Sequence, residues 1–222
     1  QSVGAVAAAA QVKVAERSDD FRLVDHKSKT QLLSYSKNSP AVVIISQQNG
    51  AKAIRDAAAE IKALQASFAS KEVPLLLLNS NPADNRDTIA AEMASLGLDV
   101  PVLLDDTQLV GEGLGVSRVA QAIVIQPKTW KVVYSGPISA GSKTYVADAV
   151  NSLVAGTPVK VSMAEIKTPL IAFPNRDRKA EFARISYEKE ISPILAKNCV
   201  SCHAEGGIAP FAMNSYDVVK QF

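Results

Sequence analysis

The chain has 222 residues, room for one domain with a small second unit. Apolar residues make up 47% and charged residues 21%, the balance of a folded chain rather than a disordered one. A formal net charge of +2 argues against nucleic acid or an anionic membrane as partner, and aromatics at 5% argue against a base-stacking surface.

No apolar run approaches the roughly 18 residues of a membrane-spanning helix. The first ten residues, QSVGAVAAAA, are apolar but short and lack a basic start. They fit the start of a mature chain after loss of a signal peptide, and equally an arbitrary boundary.

Residues 21–33, FRLVDHKSKTQLL, read as two short strands around a polar turn at Lys27 to Lys29. AVVIIS (41–46) is a continuous β-branched run, the pattern of a strand buried on both faces. After the turn QQNG, the next segment sets Ile54, Ala58, Ile61, Leu64 and Phe68 at helical spacing. VPLLLLN (73–79) is a second buried strand, and Asn85 is placed to cap a helix with Ile89, Met93 and Leu96 inward. VPVLLDD (100–106) is a third strand, followed by a short helix from Leu109 to Leu114. AIVIQ (122–126) and KVVYSG (131–136) flank a PKT turn and suit a hairpin. The last helix of this part carries Tyr145, Val146, Ala149, Val150 and Leu153 on one side and ends at Gly156.

The order β-α-β-α-β-(α)-β-β-α predicts a mixed sheet with helices on both faces. Residues 157–182, punctuated by Pro158, Pro169 and Pro174, read as a linker between a domain at 1–156 and a small unit at 183–222. In the second unit Ser186 is placed to cap a helical turn, and Ser192 with Pro193 forms an N-cap and first-position pair. The helix that follows runs into Cys199.

Both cysteines and one of the two histidines fall within NCVSCH (198–203). Cys-x-x-Cys-His is the attachment pattern of c-type haem. On a helix, two cysteines three apart share a face and can both reach one porphyrin, and the adjacent histidine can then bind the iron. Other readings exist. A zinc site needs four ligands, and only His26 remains to add. A thioredoxin-type dithiol should open a helix directly after a buried strand, which this one does not. Downstream, Gly206 and Gly207 permit close approach of a flat ligand, and Ile208, Pro210 and Phe211 provide apolar packing for its edge. The same glycines also fit a plain turn before a helix that starts at Asn214 or Ser215, with Tyr216 and Val219 inward. Arg176, Arg178, Lys179, Arg184 and Lys197 offer partners for propionates or an acidic protein, or simply a solvated face.

The stretches ISYEKEISPILAKNCVSCH and GGIAPFAMNSYDVV resemble the cytochrome c module of bacterial exported proteins in which a thioredoxin-like (redoxin) domain precedes a haem domain. Some of those proteins continue into a copper-dependent monooxygenase domain. The resemblance is strong at 185–220 and looser at 20–156. It implies a thioredoxin-like α/β domain followed by a small α-helical cytochrome c-like module incomplete at its C-terminus. It further implies one haem c, thioether links at Cys199 and Cys202, His203 as the proximal iron ligand, and a periplasmic or extracellular location. The function implied is single-electron transfer to a redox partner protein or larger redox complex. Alternatives are the electron-entry part of a larger enzyme, such as the copper monooxygenase fusion, and a five-coordinate haem sensor or peroxidase.

Two departures from that family stand out. Ala51 in NGAKAIR occupies the place of the usual reactive cysteine, and SRVAQAIVI has Val119 and Ala120 where the family carries a proline. A domain without a thiolate runs no thiol chemistry, so this one reads as scaffold or docking surface. The family's distal methionine follows the next helix, a motif that does not occur here. Met213 is the nearest candidate for a distal ligand, although a methionine there also suits core packing. Met93, Met163 and His26 are weaker candidates still.

Overall fold

The computed structural model describes residues 14–221, so the N-terminal segment QSVGAVAAAA lies outside the described residues. The chain divides into two compact units, with the division at Phe173 and Pro174.

The first unit begins with a hairpin of β1 (Arg22–Val24) and β2 (Thr30–Leu32). Its turn is organised by the buried Asp25, whose Oδ1 accepts the backbone N–H groups of Lys27 and Lys29, both at 2.9 Å. His26 anchors the hairpin to the sheet: its N–H donates to the Val102 carbonyl, and its Nδ1 accepts from Val102 N–H at 3.1 Å.

The central sheet contains β3 (Val42–Gln47), β4 (Leu75–Asn79), β5 (Val102–Leu104), β6 (Gln121–Gln126) and β7 (Lys131–Pro137), in the order β5-β4-β3-β6-β7. β3, β4 and β5 run parallel, β6 joins antiparallel to β3, and β7 pairs antiparallel to β6. β3 is central and every one of its residues is buried, which is why its sequence shows no alternation. Alternate side chains nonetheless go to opposite faces. Val43 and Ile45 enter one core and Val42 and Ile44 the other.

The first core is closed by α1 (Lys52–Ala69), α2 (Arg86–Leu96) and α4 (Tyr145–Val154), through Ile61, Leu64, Phe68, Ile89, Met93, Val146 and Val150. Asn85 caps α2 as expected, its Oδ1 accepting from Thr88 N–H at 2.9 Å. Tyr145 stacks on Tyr134 at 5.9 Å between ring centroids, and burial pushes the Tyr134 hydroxyl well above its usual range.

The second core is covered differently from the expected layer of helices. Its helical contributors are the short α3 (Leu109–Leu114), a 3-10 turn at Leu33–Ser36, Ala53 and Ile54 from the start of α1, and Leu96 from the end of α2. The rest comes from residues expected to be linker. Ile171 and Phe173 are 3% and 1% exposed, and burying each is worth about 2 kcal/mol. The backbone leading to them pairs with the loop before β6: Val119 N–H donates to the Pro169 carbonyl at 3.0 Å, and Ile171 N–H to the Ser117 carbonyl at 2.9 Å. Residues 157–173 therefore end the first unit rather than join two. The remainder of the expected linker is a helix, α5 (Pro174–Phe182), in the second unit.

Asp105 is buried at the start of α3 and receives three hydrogen bonds, from Ser80 Oγ (2.7 Å), Gly111 N–H (2.8 Å) and Val110 N–H (3.2 Å). Burial nevertheless outweighs these donors and raises its pKa above the usual carboxylate value. Between the unfolded value of about 4 and the raised folded value, the unfolded chain loses its proton first. Stability attached to Asp105 is thus full below that window and declines as pH rises through it. The variant Asp105→Asn should lack this decline while losing acceptor capacity toward Ser80 and Gly111. The stability gap between wild type and variant, followed by denaturant unfolding across the window, should narrow as pH increases.

Candidate functional site

In the first unit, the turn after β3 leads straight into α1, with Ala51 as the residue before the helix. Its backbone donors are already held by carboxylates of the protein. Asn49 N–H donates to Asp84 Oδ2 and Gly50 N–H to Glu92 Oε1, both at 3.0 Å. Behind the turn lies a buried amide network: Asn79 Nδ2 donates to Gln47 Oε1 at 2.8 Å and to Asp84 Oδ2 at 2.9 Å, and Gln47 Nε2 donates to Asn49 Oδ1 at 2.9 Å. Facing it, the loop at Val119 and Ala120 contains no cis peptide bond, and Ala120 adopts a positive φ of 57°. Ala120 N–H donates to the Ser46 carbonyl at 2.9 Å. Gln121, 2% exposed, accepts from Ser117 N–H and donates to Ser135 Oγ. These contacts hold a conformation that costs a non-glycine residue about 1–2 kcal/mol. The turn before α1 is thus a hydrogen-bonded frame beside the methyl group of Ala51.

The second unit contains α5, a single π-helical turn at Tyr187–Ile191, α6 (Ser192–Asn198) and α7 (Tyr216–Val219). Ser186 caps the π turn, accepting from Lys189 N–H at 3.2 Å. That turn runs directly into α6, so Ser192 has helical angles (φ −55°, ψ −42°) and is not the cap expected of it, while Pro193 still falls in the first turn. α6 stops at Asn198. Cys199 is its C-cap, and the motif forms the turn that follows rather than a helical face. The turn is closed by Cys202 N–H and His203 N–H, which both donate to the Cys199 carbonyl, at 3.1 and 2.9 Å. Cys199 is half-buried and Cys202 exposed, and neither is in a disulfide.

The chain then folds back on the motif. Ala209 N–H donates to the Cys202 carbonyl at 3.1 Å, and Met213 N–H to the His203 carbonyl at 2.8 Å. Between these two, His203 Nδ1 lies 2.8 Å from the Phe211 carbonyl oxygen. A carbonyl only accepts, so Nδ1 carries the hydrogen of this bond, and Nε2 is the ring nitrogen outside it. The Phe211 ring tilts against the imidazole at 4.9 Å between centroids. Pro210 is exposed and Ile208 is 92% exposed, so of the three residues expected to pack a ligand's edge only Phe211 touches the motif's histidine. Gly207 is needed by the protein's own backbone: a Cβ there would lie 2.6 Å from the Cys202 carbonyl oxygen. Gly206 takes a left-handed φ of 74°. Tyr216, expected inward, is 56% exposed and meets Tyr187 edge-on at 5.1 Å.

His26 belongs to the first unit, where burial depresses its pKa and its Nδ1 is bonded to Val102. Met93 is 1% exposed in the first core, whereas Met163 is 58% exposed. Among the described residues no three His, Cys, Asp or Glu side chains gather as a metal site. No helix of the described residues is long and apolar enough to cross a membrane.

Sequence reasoning missed the Phe211 carbonyl, because a backbone acceptor leaves no residue signature. It also missed the carboxylate partners of the turn before α1, which come from α2 and the residues ahead of it.

No protein-family model matches the chain, and no curated protein matches it either. Solved structures do match. An uncharacterized conserved protein from Geobacillus kaustophilus is 20% identical, with a TM-score of 0.65 over 74% of this chain and 94% of that one. Peroxidoxin BcpB from Mycobacterium tuberculosis is 20% identical, with a TM-score of 0.52 over 66% of this chain and 98% of that one. The thioredoxin domain of a thiol-disulfide oxidoreductase from Bacteroides vulgatus is 14% identical, with a TM-score of 0.50 over 56% of this chain and 89% of that one. The first unit thus has the thioredoxin-like α/β fold, a mixed central sheet between helices and a packed C-terminal segment. Identities this low show the fold and no more.

The variant Gly207→Ala should force the loop away from the Cys202 carbonyl. Limited proteolysis should cut between residues 199 and 213 several-fold faster than in wild type, with cleavage of the first unit unchanged.

Proposed function

We propose that this chain is a c-type cytochrome that transfers single electrons. Cys199 and Cys202 would hold one haem by thioether bonds and His203 would bind its iron. The observation that carries this reading is the hydrogen bond from His203 Nδ1 to the Phe211 carbonyl. Proximal histidines need one nitrogen anchored and the other free, and the anchor raises the ligand's basicity and fixes the ring plane.

A second observation supports it. No described residue from Pro174 to Gln221 is buried, and so few residues do not stabilise a fold without a core of their own. A porphyrin offers the apolar surface that this unit's own side chains do not supply, and Ile185, Ile194, Ile208 and Tyr216 are all exposed for contact. The donor set also fits haem better than a lone cation, since two thiols and one imidazole fall short of a four-ligand zinc site.

When bound, the haem supplies a one-electron couple. The chain's residues attach and orient it. Cys199 and Cys202 would supply the two thiols for thioether links to the group, and His203 the imidazole for its iron. Phe211 holds the imidazole, and Gly207 lets the backbone close beneath it.

The thioredoxin-like unit acts as scaffold or docking surface in this reading. Ala51 bears no thiol, and the N–H groups beside it that could stabilise one are bonded to Asp84 and Glu92. The partner is a redox protein or a larger redox complex, in keeping with the resemblance to redoxin–cytochrome fusions. Attachment of this kind places the chain outside the cytoplasm, in the periplasm or beyond.

Expressed in a host that attaches c-type haem, the purified protein should gain the mass of one haem and show a sharp reduced-minus-oxidised c-type band. The double variant Cys199→Ser, Cys202→Ser should lose the covalent mass. A colourless wild-type protein with two titratable thiols would remove the proposal and favour dithiol chemistry.

A further inference from the structure

Asn49 is the only asparagine of the chain followed by glycine. In such a pair the backbone nitrogen of the second residue stands beside the side-chain amide of the first, and glycine leaves it unshielded because it carries no Cβ. Gly50 is exposed, has a φ of 72°, and a Cβ built on it would meet open space.

The hydrogen bonds around this turn fix which atom of the Asn49 amide faces inward. A carboxylate oxygen only accepts, so Asp84 Oδ2 requires a donor from the Asn79 side chain, and that donor is Nδ2 at 2.9 Å. The same Nδ2 reaches the Gln47 side chain at 2.8 Å, which therefore presents Oε1 to it. Gln47 is left with Nε2 to donate, and Asn49 accepts it at 2.9 Å through Oδ1. A donor on Oδ1 draws electrons from Cγ and favours the negative charge that builds on this oxygen when Cγ is attacked. The attacking group is in place as well. Gly50 N–H donates to Glu92 Oε1 at 3.0 Å, so a carboxylate stands within proton-transfer reach of the nitrogen. Asn49 N–H, held by Asp84 Oδ2 at 3.0 Å, fixes the backbone that carries both groups.

We propose that Asn49 is a deamidation site of the folded protein, with Glu92 as the base and water as the co-reactant. The Gly50 nitrogen attacks Cγ of Asn49 as its proton passes to Glu92. The N–Cγ bond forms, the Cγ–Nδ2 bond breaks, and Nδ2 leaves as ammonia with the proton that Glu92 returns. Water then adds to one of the two carbonyls of the five-membered imide, and the C–N bond at that carbonyl breaks. The product is aspartate, or isoaspartate in which the main chain runs through Cγ, and nothing is oxidised or reduced. Either product sets a new carboxylate in the turn that Asp84 already holds. The isoaspartyl form also lengthens the backbone by a methylene, which breaks the tie from Gly50 to Glu92 and loosens α2 from the start of α1. The site is independent of the haem reading, because every residue in it lies in the first unit.

The test incubates the purified chain of residues 1–222 at neutral pH and body temperature and follows each asparagine by peptide mapping. Conversion at Asn49 should be several-fold faster than at Asn38, Asn151 and Asn214, each of which precedes a serine. Glu92→Gln keeps an acceptor for Gly50 N–H but supplies no base, and should slow conversion at Asn49 several-fold. An Asn49 that converts no faster than the three comparison sites would overturn the site. Conversion at the wild-type rate or above in Glu92→Gln would overturn the role of Glu92. The isoaspartyl fraction, separated by ion exchange, should exchange the amide hydrogens of α2 several-fold faster than fresh protein, and equal exchange would overturn the loosening.

Discussion

An imidazole has two nitrogens, and the protein uses one of them. The 2.8 Å bond between His203 Nδ1 and the Phe211 carbonyl sets which nitrogen carries the hydrogen and orients the ring, with Nε2 outside this bond. The rest of the second unit follows from making that bond possible. α6 must end at Asn198 so that the motif can turn, and the chain must double back through Gly206 and Gly207 to bring a carbonyl under the ring. With every described residue of this unit at least partly exposed, such short polar ties carry an unusual share of its order.

The first unit is built on the opposite balance. Its sheet is buried on both faces by two apolar clusters, and its polar interior groups are bonded in networks that leave little to react. The turn at Ala51 is held in the same way. The N–H groups of Asn49 and Gly50 are tied to Asp84 and Glu92, anchoring α2 and its preceding loop to the start of α1.

The two units thus divide the work by their physical means. One has a large core and a quiet polar frame. The other has almost no core and concentrates its only thiols, an aligned imidazole and several exposed apolar side chains within a few turns of chain. In the proposed cytochrome, the prosthetic group completes the second unit as much as it serves it.

The element order of the first unit was readable from the sequence, because period and run length report burial directly. The unbroken run of β3 and the 3.6-residue spacing of Ile54, Ile61, Leu64 and Phe68 both appear in the structure as expected. That Cys199, Cys202 and His203 lie together was readable too, because they fall within five consecutive positions. Tertiary structure alone decided the rest. Whether 157–173 were linker or core depended on whether Ile171 and Phe173 found a partner surface, which lies far away in sequence. Whether Ser192 capped a helix depended on the π turn preceding it, and the fate of His203 depended on a backbone oxygen eight positions on. Local pattern encodes which face a residue prefers; it does not encode which distant backbone group will meet it, because every residue carries the same carbonyl.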